Sequence, residues 1–220
     1  MGQYFYATMK ADGEDQVYFA RHIIPGKRLK KEIMDAKDYL TQELKRNKRL
    51  YTMAKLMEQA YLGTWYVEAA MEYLAKLGKP AKVAWVGDYA EADFAKHGMQ
   101  NPHTFYNQGN PGIELMFDTP EVENQYFMAD KFLVNEDKKE YLDMSRYYSQ
   151  LKDSDADVIN PLPILTAIGN GEGGGDYYGK KGKEDIGRWA LDHIAVTDKA
   201  PGEGYKEFIS EFEEDYDQED

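Results

Sequence analysis

The stretch that decides the fold is Asp157–Asp198, which reads DVINPLPILTAIGNGEGGGDYYGKKGKEDIGRWALDHIAVTD. It contains two short apolar runs, Ile164–Ile168 and Trp189–Val196, and both are typical of β-strands. Between the runs lies a glycine cluster, with five glycines among the seven residues 169–175. Glycine is costly to order and tolerates positive φ, so the cluster predicts a loop that turns tightly or lets its backbone approach a ligand.

Working outward, apolar and aromatic runs predict two hairpins, one over residues 3–23 and one over 131–144. Apolar residues at spacings of three and four predict a helix over 52–77, and Val83–Val86 follows it as a buried strand. An edge strand is predicted within Tyr205–Phe212. The predicted fold class is therefore α+β, an antiparallel or mixed sheet with helices packed on it.

The two halves of the chain repeat one plan, because Val86-Gly-Asp88-Tyr-Ala90 corresponds to Val196-Thr-Asp198-Lys-Ala200 after each hairpin. We therefore predict a single domain over 1–220 built from two pseudo-repeats. The predicted parts are pseudo-repeat one over 1–95 with a basic helical insertion over 27–49, a loose junction over 96–128, pseudo-repeat two over 129–206 and an acidic tail over 207–220.

The formal net charge is −13 and is unevenly distributed. Lys27–Arg49 carries nine basic and four acidic residues, whereas Glu207–Asp220 carries eight acidic residues and no basic one. So acidic a chain repels phosphate backbones, which argues against general nucleic-acid binding and favours basic partners. The chain has no cysteine, which excludes disulfides and cysteine-based chemistry. It has no apolar run long enough to span a membrane, and a cytoplasmic location is the expectation.

The candidate ligand site is the glycine loop with two polar residues that follow it. Its residues are Gly173, Gly174, Gly175, Asp176, Arg188 and Asp192. Gly169-x-Gly171-x-x-Gly174 matches a dinucleotide pattern, but the sequence after it does not open a helix to face an anion. The sequence 174–180 nearly matches a P-loop, but Lys181 occupies the Ser/Thr position. A plain connecting loop is the alternative, and the cofactor and any catalytic residue stay unknown.

A cation is a second alternative at this place, because Asp176, Asp192, His193 and Asp198 lie within 23 residues. Residues that alternate along a strand point to opposite faces, so Asp192 and His193 are not expected to reach one ion. No metal site is therefore assigned.

The segments Phe132–Asp143, Gly173–Asp176 and Ile186–Ile194 resemble a family of small uncharacterised proteins of bacteria and fungi. Its members share a Val-Asn-x-x-Lys-x-Glu-Tyr start, a Gly-Gly-Gly-Asp loop and a Gly-Arg-Trp-Ala-x-Asp strand. The opening Met1-Gly-Gln-Tyr and Trp85–Ala90 resemble relatives common in gut bacteria and their mobile elements. The resemblance supports the fold plan and implies no activity.

Two function classes follow. The first is a non-enzymatic acidic binding protein, carried by a mobile element, that modulates or inhibits a basic, nucleic-acid-handling protein through acidic and tyrosine-rich surface. The alternative is a small enzyme or a nucleotide- or metal-binding protein that acts at Gly173–Asp176 with Arg188 and Asp192.

Overall fold

The computed structural model describes residues 3–19, 55–60, 65–107, 113–115, 128–151, 159–170, 177, 179 and 181–212. The predicted basic insertion over 27–49, the loop residues 171–176 and the tail beyond Phe212 lie outside these ranges.

The described elements are strands and short helices that alternate along the chain. The strands are β1 (Phe5–Ala11), β2 (Val17–Phe19), β3 (Ala81–Gly87), β4 (Ile113–Leu115), β5 (Phe132–Asn135), β6 (Glu140–Asp143), β7 (Ala167–Ile168), β8 (His193–Thr197) and β9 (Lys206–Glu207). The helices are α1 (Leu56–Ala60), α2 (Trp65–Leu77), α3 (Pro102–Asn107), α4 (Met144–Leu151) and α5 (Pro161–Leu165), with 3₁₀ turns at Phe94–His97 and Lys183–Asp185.

The described strands form one nine-stranded mixed sheet in the order β4-β2-β1-β3-β8-β5-β6-β9, with β7 also paired to β3. Both predicted hairpins are present as antiparallel pairs, β1–β2 and β5–β6. The edge strands β4 and β9 run parallel to their neighbours β2 and β6, and β7 runs parallel to β3. The α+β class with a mixed sheet is therefore confirmed, with the helices packed on the sheet.

One face of the sheet holds the main core. Alternate residues of β1 point to it, because side chains change face at each position of a strand. The described part of the predicted helical stripe also lies in this core and is fully or nearly fully buried: Met57, Ala60, Val67, Met71 and Leu74. Helix α2 contacts β8 and β2, and α5 contacts β3.

The opposite face of β1 and β3 is covered by residues 91–107, which include the described start of the predicted junction. Phe94 and Met99 pack there against Val86. A ring nitrogen of His103 lies 2.7 Å from the Val86 carbonyl oxygen, and Lys82 donates to the carbonyl of His97 at 2.8 Å. This part of the junction is therefore a layer on the sheet.

The strand predicted at Ile164–Ile168 is mostly wrong. Residues Pro161–Leu165 form helix α5, and only Ala167–Ile168 is strand. Asn160 caps the helix by accepting the Leu162 N–H at 2.9 Å, and Pro161 takes the first helical turn, where its missing N–H costs nothing. The run predicted over Trp189–Val196 likewise begins as turns and becomes strand at His193. None of the described helices is long and apolar enough to cross a membrane.

Candidate functional site

The six residues of the sequence-predicted site divide into two groups. Gly173, Gly174, Gly175 and Asp176 lie outside the described residues. Arg188 and Asp192 are described, and each binds partners on the β5–β6 hairpin.

Arg188 binds the carboxylate of Glu140 with two parallel hydrogen bonds. Nη2 lies 2.6 Å from Oε1 and Nε lies 3.2 Å from Oε2. The buried indole of Trp189 donates to the same Oε2 at 2.9 Å, and the guanidinium lies over the Phe208 ring at 4.7 Å. The Arg188 hydrogen bonds hold the pKa of Glu140 below its ordinary value of 4.5, although burial opposes them. An anion at this guanidinium would therefore compete with the carboxylate of Glu140.

Asp192 has partners of its own. Its Oδ2 accepts from the Asn135 amide at 2.8 Å and from the Lys138 ammonium. Asn135 is fully buried, and its Oδ1 accepts the backbone N–H groups of Asp137 and Lys138 at 3.0 and 2.9 Å. The buried amide thus shapes the hairpin turn and ties it to Asp192.

These contacts join two motifs that are about 50 residues apart in the chain. We call the set the motif network: Asn135, Lys138, Glu140, Arg188, Trp189 and Asp192. Each polar group of the Val-Asn-x-x-Lys-x-Glu segment named here pairs with one from the Gly-Arg-Trp-Ala-x-Asp segment. The arrangement fastens the hairpin to the turn that leads into β8, and this is a structural role.

The glycine of the second motif has a steric reason. Gly187 has a φ of +70°, and a Cβ there would lie 2.5 Å from the carbonyl oxygen of Ala167. The close approach lets Gly187 N–H donate to Ile164 at 2.9 Å and Trp189 N–H donate to Leu165 at 2.7 Å. A side chain at residue 187 is therefore excluded by both conformation and space.

His193 lies between the turns of the two hairpins. Its backbone N–H donates to Asp137 Oδ2 at 2.8 Å, and its Nδ1 lies 3.0 Å from the same carboxylate. Its Nε2 lies 3.5 Å from Asp12 Oδ1. Burial raises the pKa of Asp137, but the hydrogen bonds from His193 outweigh burial and leave that pKa below its ordinary value.

The residues weighed as cation ligands are not brought together where they are described. Asp192 faces Lys138, His193 faces Asp137, and Asp198 pairs with Lys131 at 3.0 Å. Asp176 lies outside the described residues. Within the described ranges there is no group of three His, Asp or Glu residues that could hold a metal ion.

Sequence reasoning missed a different charged region, the turn that follows β3. We call it the acidic segment, and its exposed side chains are Asp88, Tyr89, Glu91 and Asp93. Tyr89 is 44% exposed, which is unusual for so large an aromatic ring. None of the three carboxylates has an ion-pair partner among the described residues.

Backbone contacts hold the acidic segment in one shape. Asp88 N–H donates to the Tyr4 carbonyl at 2.9 Å, and Tyr4 N–H donates back to Asp88 Oδ1 at 3.1 Å. At the other end, Asp93 caps a 3₁₀ turn by accepting the Lys96 N–H at 3.2 Å, and Phe94 is buried. The side chains between these anchors are therefore presented on a fixed backbone.

Gln3 is a second feature that sequence reasoning missed. Its side chain is fully buried, yet neither its Nε2 nor its Oε1 has a hydrogen-bond partner among the residues that the structure describes. Burial of an unpaired amide is unfavourable, and native proteins rarely retain one. The residue lies against Gly87 and Gly169, beside the start of the glycine cluster.

Comparisons with protein-family models, with curated proteins and with solved structures found no match for this chain.

Proposed function

We propose that this protein is a non-enzymatic acidic binding protein, and that the acidic segment is the surface that engages a basic partner protein. The observation that carries the proposal is the combination of one exposed tyrosine and three exposed carboxylates that have no cation within the described part of the chain, all on a fixed backbone. Tyrosine is enriched at protein interfaces, and fixed charges reduce the entropy lost on binding.

The charge of the whole chain supports the choice of partner. A net charge of −13 attracts basic proteins over distances of about a Debye length and repels polynucleotides. A basic protein that handles nucleic acid binds phosphates with lysine and arginine side chains, and spaced carboxylates can form ion pairs with the same side chains. The function that we propose is modulation or inhibition of such a protein in the cytoplasm. We also propose that the gene is carried by a mobile element, as in the relatives that the sequence resembles.

The enzyme alternative has less support from the described residues. An enzyme or a nucleotide- or metal-binding protein acting at Gly173–Asp176 would need Arg188 and Asp192 to contact its ligand. Each of these side chains already forms an ion pair, Arg188 with Glu140 and Asp192 with Lys138. If a ligand drew Arg188 or Asp192 out of its ion pair, the partner would be left as a partly buried charge without compensation.

The proposed duplication rests on the strand order. In each half, the first hairpin strand pairs with its return strand on one side and with a later antiparallel strand on the other. The registers agree, since Phe5 pairs with Gly87 and Phe132 pairs with Thr197, which precede Asp88 and Asp198. A superposition of residues 3–92 on 131–200 that fails to align these two aspartates would reject the duplication.

The experiment that tests the function is affinity capture with three forms of the protein: wild type, a form truncated after Phe212 and the triple variant Asp88→Asn, Glu91→Gln, Asp93→Asn. We expect wild type to retain basic, nucleic-acid-handling proteins in a salt-sensitive manner, and the triple variant to lose them. Equal capture by wild type and the triple variant would reject the acidic segment as the surface, and loss on truncation alone would assign binding to the tail.

A charge-matched control separates the effect of the acidic segment from the effect of a lower net negative charge. Glu14→Gln, Glu72→Gln and Glu211→Gln also remove three negative charges, but from carboxylates that are paired with Lys79, Lys76 and Lys181. The control triple variant should keep the partner.

A further inference from the structure

We infer that Gln3 is the recognition residue of a small-ligand site at the carboxyl ends of β3 and β7, for an uncharged ligand with a planar amide-type edge. The edge is one on which a hydrogen-bond donor and an acceptor lie side by side. The inference does not depend on the acidic segment or on a protein partner.

The first step is the contrast between two buried glutamines. Gln59 is also fully buried, but its Nε2 donates to the Phe5 carbonyl at 2.7 Å and its Oε1 accepts from the Trp85 indole at 2.8 Å. Gln3 is two residues before Phe5 in the chain, and both ends of its amide are unpaired among the described residues. Gln59 shows that the fold can satisfy a buried amide, so the unpaired amide of Gln3 calls for a separate cause.

The second step is the space made for this side chain. A Cβ on Gly87 would lie 2.7 Å from Gln3 Cδ, and a Cβ on Gly169 would lie 2.3 Å from Gln3 Oε1. A side chain at either position would force the carboxamide to leave the place that it occupies. Two glycines therefore leave room for a carboxamide that makes no hydrogen bond to the described residues. A leucine or methionine at residue 3 would fill the same space without an unpaired amide.

The third step is the position in the sheet. β3 and β7 are parallel, with Trp85 paired to Ala167 and Val86 to Ile168, so Gly87 and Gly169 lie at adjacent carboxyl ends. Toward its other end β3 pairs instead with β8, in the antiparallel sense. In open α/β sheets, ligands bind outside the carboxyl ends of parallel strands where the strand order changes, and the β3–β7 pair offers one such edge within this mixed sheet. Gly169 is itself exposed, so the amide lies directly under a surface residue that has no side chain to remove.

The fourth step is the chemistry of the ligand. A carboxamide presents an acceptor oxygen and a donor N–H₂ in one plane, and glutamine pairs in this bidentate way with the N6 and N7 atoms of adenine. An imide edge, as in uracil, or another primary amide offers the same complement. Asp88 follows Gly87 and has no cation beside it within the described ranges, so its carboxylate would repel a phosphate next to the site. The geometry therefore favours a nucleoside, a free base or a carboxamide over a nucleotide.

The test uses the full chain and four probes: adenosine, uridine, nicotinamide and N6,N6-dimethyladenosine, which lacks the adenine donor. Binding is measured by calorimetry and by the side-chain amide resonances of ¹⁵N-labelled Gln3. We expect saturable binding of at least one of the first three probes with a shift of the Gln3 resonances, and binding of the dimethylated probe that is weaker than that of adenosine if adenosine is the ligand. No saturable binding of the first three probes would overturn the inference, as would binding without a shift of Gln3.

Variants give an independent readout. Gln3→Met should leave the melting temperature of the unliganded protein unchanged or higher, because no hydrogen bond is lost, and should weaken probe binding by about tenfold or more. Gln59→Met is the matched control, which should lower the melting temperature and leave the affinity of the folded protein intact. A Gln3→Met variant that binds the probe as wild type does, or that melts as low as the control, would assign Gln3 a structural role and overturn the inference.

Discussion

The motif network and the acidic segment are both charged, but they use charge in opposite ways. In the motif network, Glu140 and Asp192 each receive a cation and a further hydrogen bond, and both carboxylates are largely buried. In the acidic segment, three carboxylates are exposed and have no cation among the described residues, and those of Asp88 and Asp93 accept only backbone N–H groups. Removing one partner of a paired, largely buried charge is destabilising, because the other charge is left uncompensated, whereas exposed charges without a cation contribute little to stability and remain free for a partner. The comparison therefore predicts that stability and binding respond to different substitutions.

The largest effect is expected at Gly187, the glycine that precedes Arg188 of the motif network. Gly187→Ala combines an unfavourable φ of +70° with a Cβ that would lie 2.5 Å from the Ala167 carbonyl oxygen. We expect a loss of about 2–3 kcal/mol or more in the free energy of unfolding. Urea denaturation checks this, with Gly202→Ala as the control, since a Cβ on Gly202 would contact nothing within 4 Å. Equal losses in the two variants would refute the steric account.

The next effect is expected at the carboxylate that Arg188 and Trp189 share. Glu140→Gln keeps the shape but removes the charge, and should cost about 2 kcal/mol because charged hydrogen bonds are the strong ones. Glu207→Gln is the control, because Glu207 forms an ion pair with the half-exposed Arg146 at the surface and its loss should cost about 0–1 kcal/mol. A smaller cost for Glu140→Gln than for Glu207→Gln would show that the motif network does not stabilise the fold.

A smaller effect is expected from pH. Arg188 holds the pKa of Glu140 below 4.5 in the folded state, so folding favours the ionised form. The stabilisation from this carboxylate is therefore complete above its unfolded pKa and is lost as pH falls through the folded pKa. The stability difference between wild type and Glu140→Gln should shrink as pH is lowered, which denaturation at several pH values will measure. A difference that grows on acidification would contradict the lowered pKa.

The smallest effect on stability is expected in the acidic segment. The triple variant Asp88→Asn, Glu91→Gln, Asp93→Asn should unfold within about 0.5 kcal/mol of wild type, since asparagine can also accept the Tyr4 and Lys96 N–H groups. Urea denaturation gives the number. A loss as large as that of Glu140→Gln would mean that this segment, too, is structural.

Local patterns predicted much of the fold. Apolar and aromatic runs identified β1 and the β5–β6 hairpin, and helical spacing identified the buried face of α2, because each of these patterns is contained in a short stretch of the chain. Helix α5 was mistaken for a strand because five apolar residues are too few to show a helical period. The Asn160–Pro161 pair was the signal that identifies it, as a cap followed by a proline in the first turn.

The site was less predictable, because its contacts join distant residues. Arg188 and Glu140 are 48 positions apart, and nothing in a single sequence shows that these two charges pair. Gln3 gave no signal, since glutamine is mostly a surface residue and its burial follows from the close approach of Gly87 and Gly169. The acidic residues of the acidic segment are plain in the sequence, but their exposure and the lack of cations among the described residues around them depend on the tertiary structure.

The most direct test of the proposed function is the affinity of a fluorescent lysine- and arginine-rich peptide for wild type and for the two triple variants, measured by anisotropy at low and at physiological salt. The account predicts that the acidic-segment triple variant binds about tenfold more weakly than wild type, since three lost contacts of about 0.5 kcal/mol each amount to that factor. The control triple variant of Glu14, Glu72 and Glu211 should bind within about twofold of wild type, because its carboxylates already have cations. Equal weakening of both variants, or no weakening of either, would contradict the claim that the unpaired carboxylates of Asp88, Glu91 and Asp93 form the binding surface.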